Sequence, residues 1–331
     1  MKLFYYKTTT PSQNFGDELN PWLWPRLISD FDENKKDVFI GIGTVLNDQT
    51  PQWVNEAKNA IFFSTGVGYG RSFRLQKKPN WRIYCVRGPL SAKKLKLPAP
   101  LAITDGAALL KRYFDPIAVA ERAYAVSYMP HFRHGSPQRF KTVCQRVGIH
   151  FIDPAGEVEN VITQIAQSKV LISEAMHGAI VADTLRVPWI PVRTSPKILP
   201  FKWRDWCASV NLPYRGTIIR GAKPLSRRDY RYPLRPYLQG QASIVSLFDG
   251  VRMSDFSGPL VEGSVIRGAK NSEPTTKHIS ERTLDRLSVQ LEKTTRKPSF
   301  LSDETHQESL VMRLEERLDV LKKDIRKGVF A

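Results

Sequence analysis

From the start of the chain to about residue 195, short apolar runs alternate with stretches whose apolar positions recur every three or four residues. Each run stops at a small, polar or turn residue, which is how βαβ units look in sequence. The pattern predicts strands at 3–6, 38–42, 61–63, 82–86, 101–103, 124–127, 150–152, 170–172 and 189–192. Several are apolar throughout, as parallel strands covered on both faces must be. Helices are predicted between them at 18–28, 89–95, 106–113, 137–147, 157–167 and 175–186. The expected fold class is therefore α/β, built as two doubly wound halves meeting at the turn-rich stretch 114–122.

Beyond Pro196 the periodicity fades, and no sheet is predicted there. Residues 253–278 are rich in Ser, Gly, Thr and Pro, as a linker would be. After them Leu284, Leu287 and Leu291, then Leu310, Leu314, Leu318, Leu321 and Ile325, step by three or four and predict amphipathic helices. Such helices could pack on the body, on a second subunit, or on a membrane surface. The resulting division is a first Rossmann-like domain over 1–115, a second over 116–250, a linker over 251–280 and a helical C-terminal extension over 281–331.

Composition narrows the classes. With 41% hydrophobic and 10% aromatic residues the chain is not mainly disordered. No apolar run approaches the ~20 residues of a membrane span, and Leu3-Phe4-Tyr5-Tyr6 is too short for a secretion signal, so a cytoplasmic protein is expected. The three cysteines, Cys85, Cys144 and Cys207, are far apart with no CxxC pair, which predicts buried thiols rather than disulfides or zinc ligands. The net charge of +18 favours acidic partners: phosphorylated metabolites, nucleic acid or an anionic membrane.

The candidate chemistry gathers at predicted strand ends. Val170-Leu171-Ile172 runs into Ser173-Glu174-Ala175-Met176-His177-Gly178, where Ser173 is the expected cap of a helix whose free amides favour an anion. Gly178 is expected to leave room for a ligand or a neighbouring backbone. After the first strand comes Asn14-Phe15-Gly16-Asp17-Glu18; there Asp17 suits either capping or proton transfer. Glycine loops containing Gly43 and Gly66 follow two further strands, without a Walker or GxGxxG pattern. Arg87 leaves another strand just before Pro89, inside a stretch from Arg71 to Lys96 that has no acidic residue. Asp105 and His131 stand after two more. A helix N-terminus contributes up to ~2 kcal/mol when partly buried, whereas millimolar affinity needs about 4. Arg87 is therefore expected to face His177 across one crevice and to grip a compact acid with it.

Read in order, NFGDELN, GIGT, VRGPLS, ITDGAALL, SYMPHF and ISEAMHGAIVADTLRVPWIPV resemble the polysaccharide pyruvyl transferase family, in particular its ketal-forming exopolysaccharide members. The resemblance spans roughly residues 1–195. It implies a glycosyltransferase-B-like pair of Rossmann-like domains that moves pyruvate from phosphoenolpyruvate onto a sugar of a lipid-linked oligosaccharide. It also implies a functional histidine at His177 and a donor-binding arginine at Arg87. Many relatives carry arginine two residues before the histidine, where Ala175 stands here, so Arg71 and Arg193 join Arg87 as donor-anchoring candidates.

On that reading His177 protonates the methylene carbon of the donor, and Asp17, or else Asp105 or Glu174, is the base. Asn14, Gly16, Gly43, Gly66, His131, Ser173, Glu174 and Gly178 complete the expected substrate shell. No metal and no cofactor beyond the donor is expected, and no nucleic acid. Peripheral contact with the anionic inner membrane, through basic and aromatic residues from Lys223 to Tyr237, and self-association are further expectations. The rival readings are a nucleotide-sugar glycosyltransferase on the same architecture and a non-catalytic nucleic-acid or membrane binder.

Overall fold

The computed structural model describes residues 1–7, 13–68, 80–114, 122–132, 137–195, 198–220 and 280–330. Arg71, the basic and aromatic patch and nearly all of the expected linker lie outside them. Within them the chain is α/β, with two parallel sheets.

The first sheet holds β1 (Lys2–Phe4), β2 (Val38–Ile40), β3 (Ala60–Phe63) and β4 (Trp81–Cys85), side by side in that order. Leu3, Phe39, Ile61 and Arg82 share one register row. Because successive strand residues face opposite ways, the sheet feeds two cores. Phe39, Ile61 and Phe63 meet α1 (Phe15–Leu27), whose Trp24 stands edge-on to Phe39 and Phe63. Ile40, Phe62 and Val86 meet α2 (Thr50–Trp53) and α3 (Pro89–Leu95) on the other face. The strand expected at 101–103 is instead a short 3-10 turn, Ala99–Leu101, followed by one parallel bridge from Ala102 to Val86. The helix expected at 106–113 is a 3-10 segment, Gly106–Arg112, started by the Asp105 carboxylate, which accepts from the Ala107 amide at 3.0 Å.

The second sheet contains β5 (Ser127–Met129), β6 (His150–Phe151), β7 (Leu171–Ser173), β8 (Trp189–Arg193) and β9 (Thr217–Ile218), ordered β6-β5-β7-β8-β9. Its strand order reverses between β5 and β7, the place where open α/β sheets leave a crevice at the strands' carboxyl ends. α4 (Pro137–Arg146) and α8 (Glu281–Thr295) cover one face with Phe140, Val143, Leu284, Leu287 and Leu291. α5 (Val158–Ala166) and α6 (Met176–Thr184) cover the other. β9 and α7 (Pro200–Ser209), beyond the reach of the sequence pattern, extend this half. The Trp203 and Trp206 rings of α7 pack beside Trp189.

The C-terminal helices pack on the body, which settles the choice left open by their amphipathic pattern. α9 (Glu304–Arg326) buries Leu310, Leu314, Leu318 and Leu321 in the largest core. Its start is tied to α6, where Gln307 donates to the Asp183 carbonyl at 2.8 Å. Its far end reaches the first sheet, where the Tyr84 hydroxyl donates to Asp324 at 2.6 Å. Among the described residues no helix is long and apolar enough to cross a membrane.

Candidate active site

α1 begins at Phe15, three residues earlier than its apolar spacing suggests, so Gly16 and Asp17 sit in its first turn rather than in a loop. The Phe15 amide donates to the Pro154 carbonyl at 2.9 Å, and the Trp22 indole donates to Glu159 on α5 at 2.9 Å. These bonds hold the first turn of α1 against the second half of the molecule. There it meets α6, whose His177 follows directly from β7 at the order reversal.

The imidazole sets its Nδ1 edge against the helix start. A Cβ placed on Gly16 would stand 2.0 Å from His177 Nδ1 and 2.7 Å from its Cγ, so only glycine lets α1 approach. On the other edge of the ring, Nε2 is 3.6 Å from Asp105 Oδ2. Both atoms are buried without a hydrogen-bond partner, an uncommon state for interior polar groups. The ring keeps 13% exposure while Asp105 has none.

Asp17 completes the group. Asn14 Nδ2 donates to its Oδ2 at 2.5 Å. Burial pushes the Asp17 carboxyl up to about 6, against the downward pull of Asn14, His177 and Lys202. A carboxylate that titrates near neutrality is suited to carrying a proton. Lys202, near enough to act on it, comes from α7 and is itself buried. Sequence reading missed it because it lies beyond Pro196, where the periodicity fades into an irregular aromatic stretch.

Other expected site residues have different work. Arg87 turns its guanidinium to protein partners among the described residues, and His177 is not one of them. The guanidinium is fully buried, with Nε donating to Asp205 Oδ2 at 3.1 Å, Nη1 to Thr44 Oγ1 at 2.7 Å and Nη2 to the Val67 carbonyl at 2.8 Å. Asp205 also accepts from the Ser91 amide and hydroxyl. α7 supplies an anion and the strand-end loops supply a hydroxyl and carbonyls, which together occupy the guanidinium donors that were expected to hold a ligand. Gly66 makes room for that guanidinium: a Cβ there would lie 2.3 Å from Cζ. Gly43 takes φ +141, a region side chains disfavour, and its carbonyl accepts from the Gly66 amide.

Ser173 does not cap α6. It ends β7 and its hydroxyl donates to the Ala175 carbonyl at 2.7 Å, while Ala175 holds the cap position without a side-chain bond. Gly178 faces protein rather than open space, since a Cβ would meet Met129 Sδ at 2.6 Å. Glu174 is also fully buried; it accepts from the amides of His131 (3.1 Å) and Thr194. It thereby ties the loops after β5, β7 and β8 together, which removes it from the candidates for a base open to substrate. His131 stacks on Phe132 at the end of β5, and Arg193 ends β8. The three cysteines are buried and free.

A parallel α/β frame brings an imidazole and a carboxylate raised by burial together between its two sheets, a pairing suited to moving a proton. The family model for polysaccharide pyruvyl transferase matches residues 3–196, more than half of the chain, and the chain belongs to that family. It is also similar to the succinoglycan biosynthesis protein ExoV of Rhizobium meliloti (strain 1021), at 37% identity over 216 residues. That match covers 65% of this chain and 66% of the relative, so the chain spans just under two thirds of that protein.

Proposed function

We propose that this protein transfers pyruvate from phosphoenolpyruvate to a sugar of an exopolysaccharide precursor, forming a cyclic ketal. Two parallel α/β sheets with a site between them support a glycosyltransferase-B-like reading of the architecture. The observation that carries the proposal is the contact of Gly16 with His177 at the junction of the two halves, which brings the next residue, Asp17, its carboxyl pushed up to about 6 by burial, close to the imidazole. Addition to an enol ether needs one group to deliver a proton to carbon and another to take one from a hydroxyl.

Protonated His177 gives its proton to the methylene carbon, which becomes the methyl group. Asp17 takes the proton of the first sugar hydroxyl as its oxygen bonds to the neighbouring carbon. The second hydroxyl of the same sugar then displaces phosphate and returns its proton to His177. The proton held by Asp17 leaves with the phosphate, so both groups are restored. Lys202, rather than Arg87, supplies local positive charge for the donor anion. Phosphoenolpyruvate is the donor substrate and no other cofactor takes part. The acceptor is lipid-linked, and the protein works at the cytoplasmic face of the membrane, where its positive charge favours anionic lipid.

The test is incubation of the protein with phosphoenolpyruvate and a panel of lipid-linked oligosaccharides. Phosphate release is expected together with a mass gain of one pyruvate less one water on one acceptor. Transfer from a nucleotide sugar, with none from phosphoenolpyruvate, would overturn the proposal.

A further inference from the structure

The Asp105 carboxylate is buried, it is anchored at one oxygen, and its other oxygen faces an unsatisfied imidazole nitrogen. Oδ1 accepts the Ala107 amide and thereby starts the 3-10 segment, while Oδ2 points at His177 Nε2 from 3.6 Å. A cap needs one carboxylate oxygen, and an asparagine serves as well. The second oxygen, fully enclosed and unpartnered, exceeds what the cap requires.

We infer that Asp105 is the positioning residue of His177. It holds the Nε2–H, so that Nδ1, the nitrogen beside Gly16, exchanges the reaction proton. Three features of the geometry lead to this. Nε2 is enclosed, and among the described residues the Asp105 carboxylate is the acceptor it approaches. The Nδ1 edge runs along Gly16, and the next residue, Asp17, lies near enough for His177 to lower its carboxyl. The ring is clamped between a glycine on one helix and an aspartate on another segment, so it cannot turn to swap its nitrogens without moving one of them. A carboxylate behind a histidine fixes the tautomer and steadies the imidazolium without itself taking the reaction proton.

This assignment rests on the proposed transfer only for its kinetic arm. The titratable groups near the ring are Asp105 behind it and Asp17 on α1, and Asp17 in turn feels Lys202 on α7 and its neighbour Glu18. D105N keeps the cap oxygen and the shape while removing the charge, and it is the decisive variant. In histidine-labelled 15N NMR of the full chain, with H177Q to assign the signal, wild-type His177 is expected as the Nε2–H tautomer. D105N is expected to shift its population toward Nδ1–H.

In the transfer assay D105N should lower kcat about ten- to a hundredfold with the KM for phosphoenolpyruvate nearly unchanged. The high-pH limb of its rate profile should move to lower pH, and D105E should recover part of the rate. An unchanged His177 tautomer in D105N would reduce Asp105 to a helix cap and overturn the inference. If the tautomer shifts but no pyruvate transfer occurs in wild type, the proposed reaction fails and the pair stands.

Discussion

Gly16 and His177 are in direct contact, with the backbone of one helix start resting on the imidazole edge of another. The glycine therefore sets the angle of the histidine as well as the approach of α1. Gly16→Ala forces a methyl into space 2.0 Å from Nδ1, and neither the ring, with Asp105 behind it, nor α1, bonded to Pro154, can yield freely. Overpacking of this kind costs about 1–3 kcal/mol. The variant should remain folded, as measured by urea denaturation, yet lose at least about a hundredfold in kcat, because a ring displaced by an ångström misses its target. Activity close to wild type would show that the orientation of His177 is irrelevant.

Asp17 makes stability depend on pH. Its folded value of about 6 lies above the ordinary 3.8, so the folded state binds a proton more readily than the unfolded chain does. The protein should be relatively favoured below about pH 4 and lose that advantage as pH rises through 6. The loss is at most about 3 kcal/mol, and less where solvent reaches the group. Asp17→Asn removes the ionisation. The variant should be more stable than wild type at pH 8 and indistinguishable at pH 4, while losing transfer at both. Parallel stability curves for the two proteins would contradict the assigned environment of Asp17.

Arg87 and Asp205 form a fully enclosed ion pair between a strand-end loop and α7. Removing either partner strands the other charge in the interior, at a cost of about 3–5 kcal/mol. Arg87→Met and Asp205→Ala should therefore both lower the denaturation midpoint substantially. Arg87→Lys should rescue little, since one ammonium cannot reach Asp205, Thr44 and the Val67 carbonyl in three directions. A Lys variant of full stability but raised KM for the donor would restore Arg87 to the binding shell.

Most strands before residue 195 were legible in sequence because burial on both faces makes them apolar runs, as at Ile61-Phe62-Phe63, whereas the run at 101–103 falls at a 3-10 turn and β9 carries no such pattern. α3 was legible because Pro89 opens it; its end is made by Lys96, left-handed at φ +56, a conformation the sequence does not show. The order in which NFGDELN, ITDGAALL and the histidine segment follow their strands gave Asp17, Asp105 and His177, which do converge. Partnership was not legible. Arg87 reads as a binding group until Asp205, 118 residues on, is seen to hold it. Glu174 and Ser173 likewise look like open polar groups, but Glu174 is held by amides of the loops after β5 and β8, and Ser173 bonds within its own loop. Lys202 and Gly16 owe their positions to the packing of α7 and α1 on the other half, which no local pattern encodes. The 3-10 segment at Gly106–Arg112 was mistaken for an α-helix because its apolar residues are continuous and carry no period to tell the two apart.

The same dependence on distant packing governs the last helix. Leu314 is fully buried in the core that also contains Phe63, Leu109 and Val181, residues drawn from both halves. Truncating a buried leucine leaves a cavity and costs about 2–5 kcal/mol. Leu314→Ala should accordingly destabilise the whole protein in a single transition, although it lies over 100 residues from His177. Because α9 links α6 at Gln307 to β4 at Asp324, its loosening should also relax the junction where the site forms. The measurement is thermal unfolding followed at the tryptophans, with the transfer rate recorded below the transition. A cooperative midpoint well below wild type identifies the helix as part of the core; an unchanged midpoint would make it a detachable appendage.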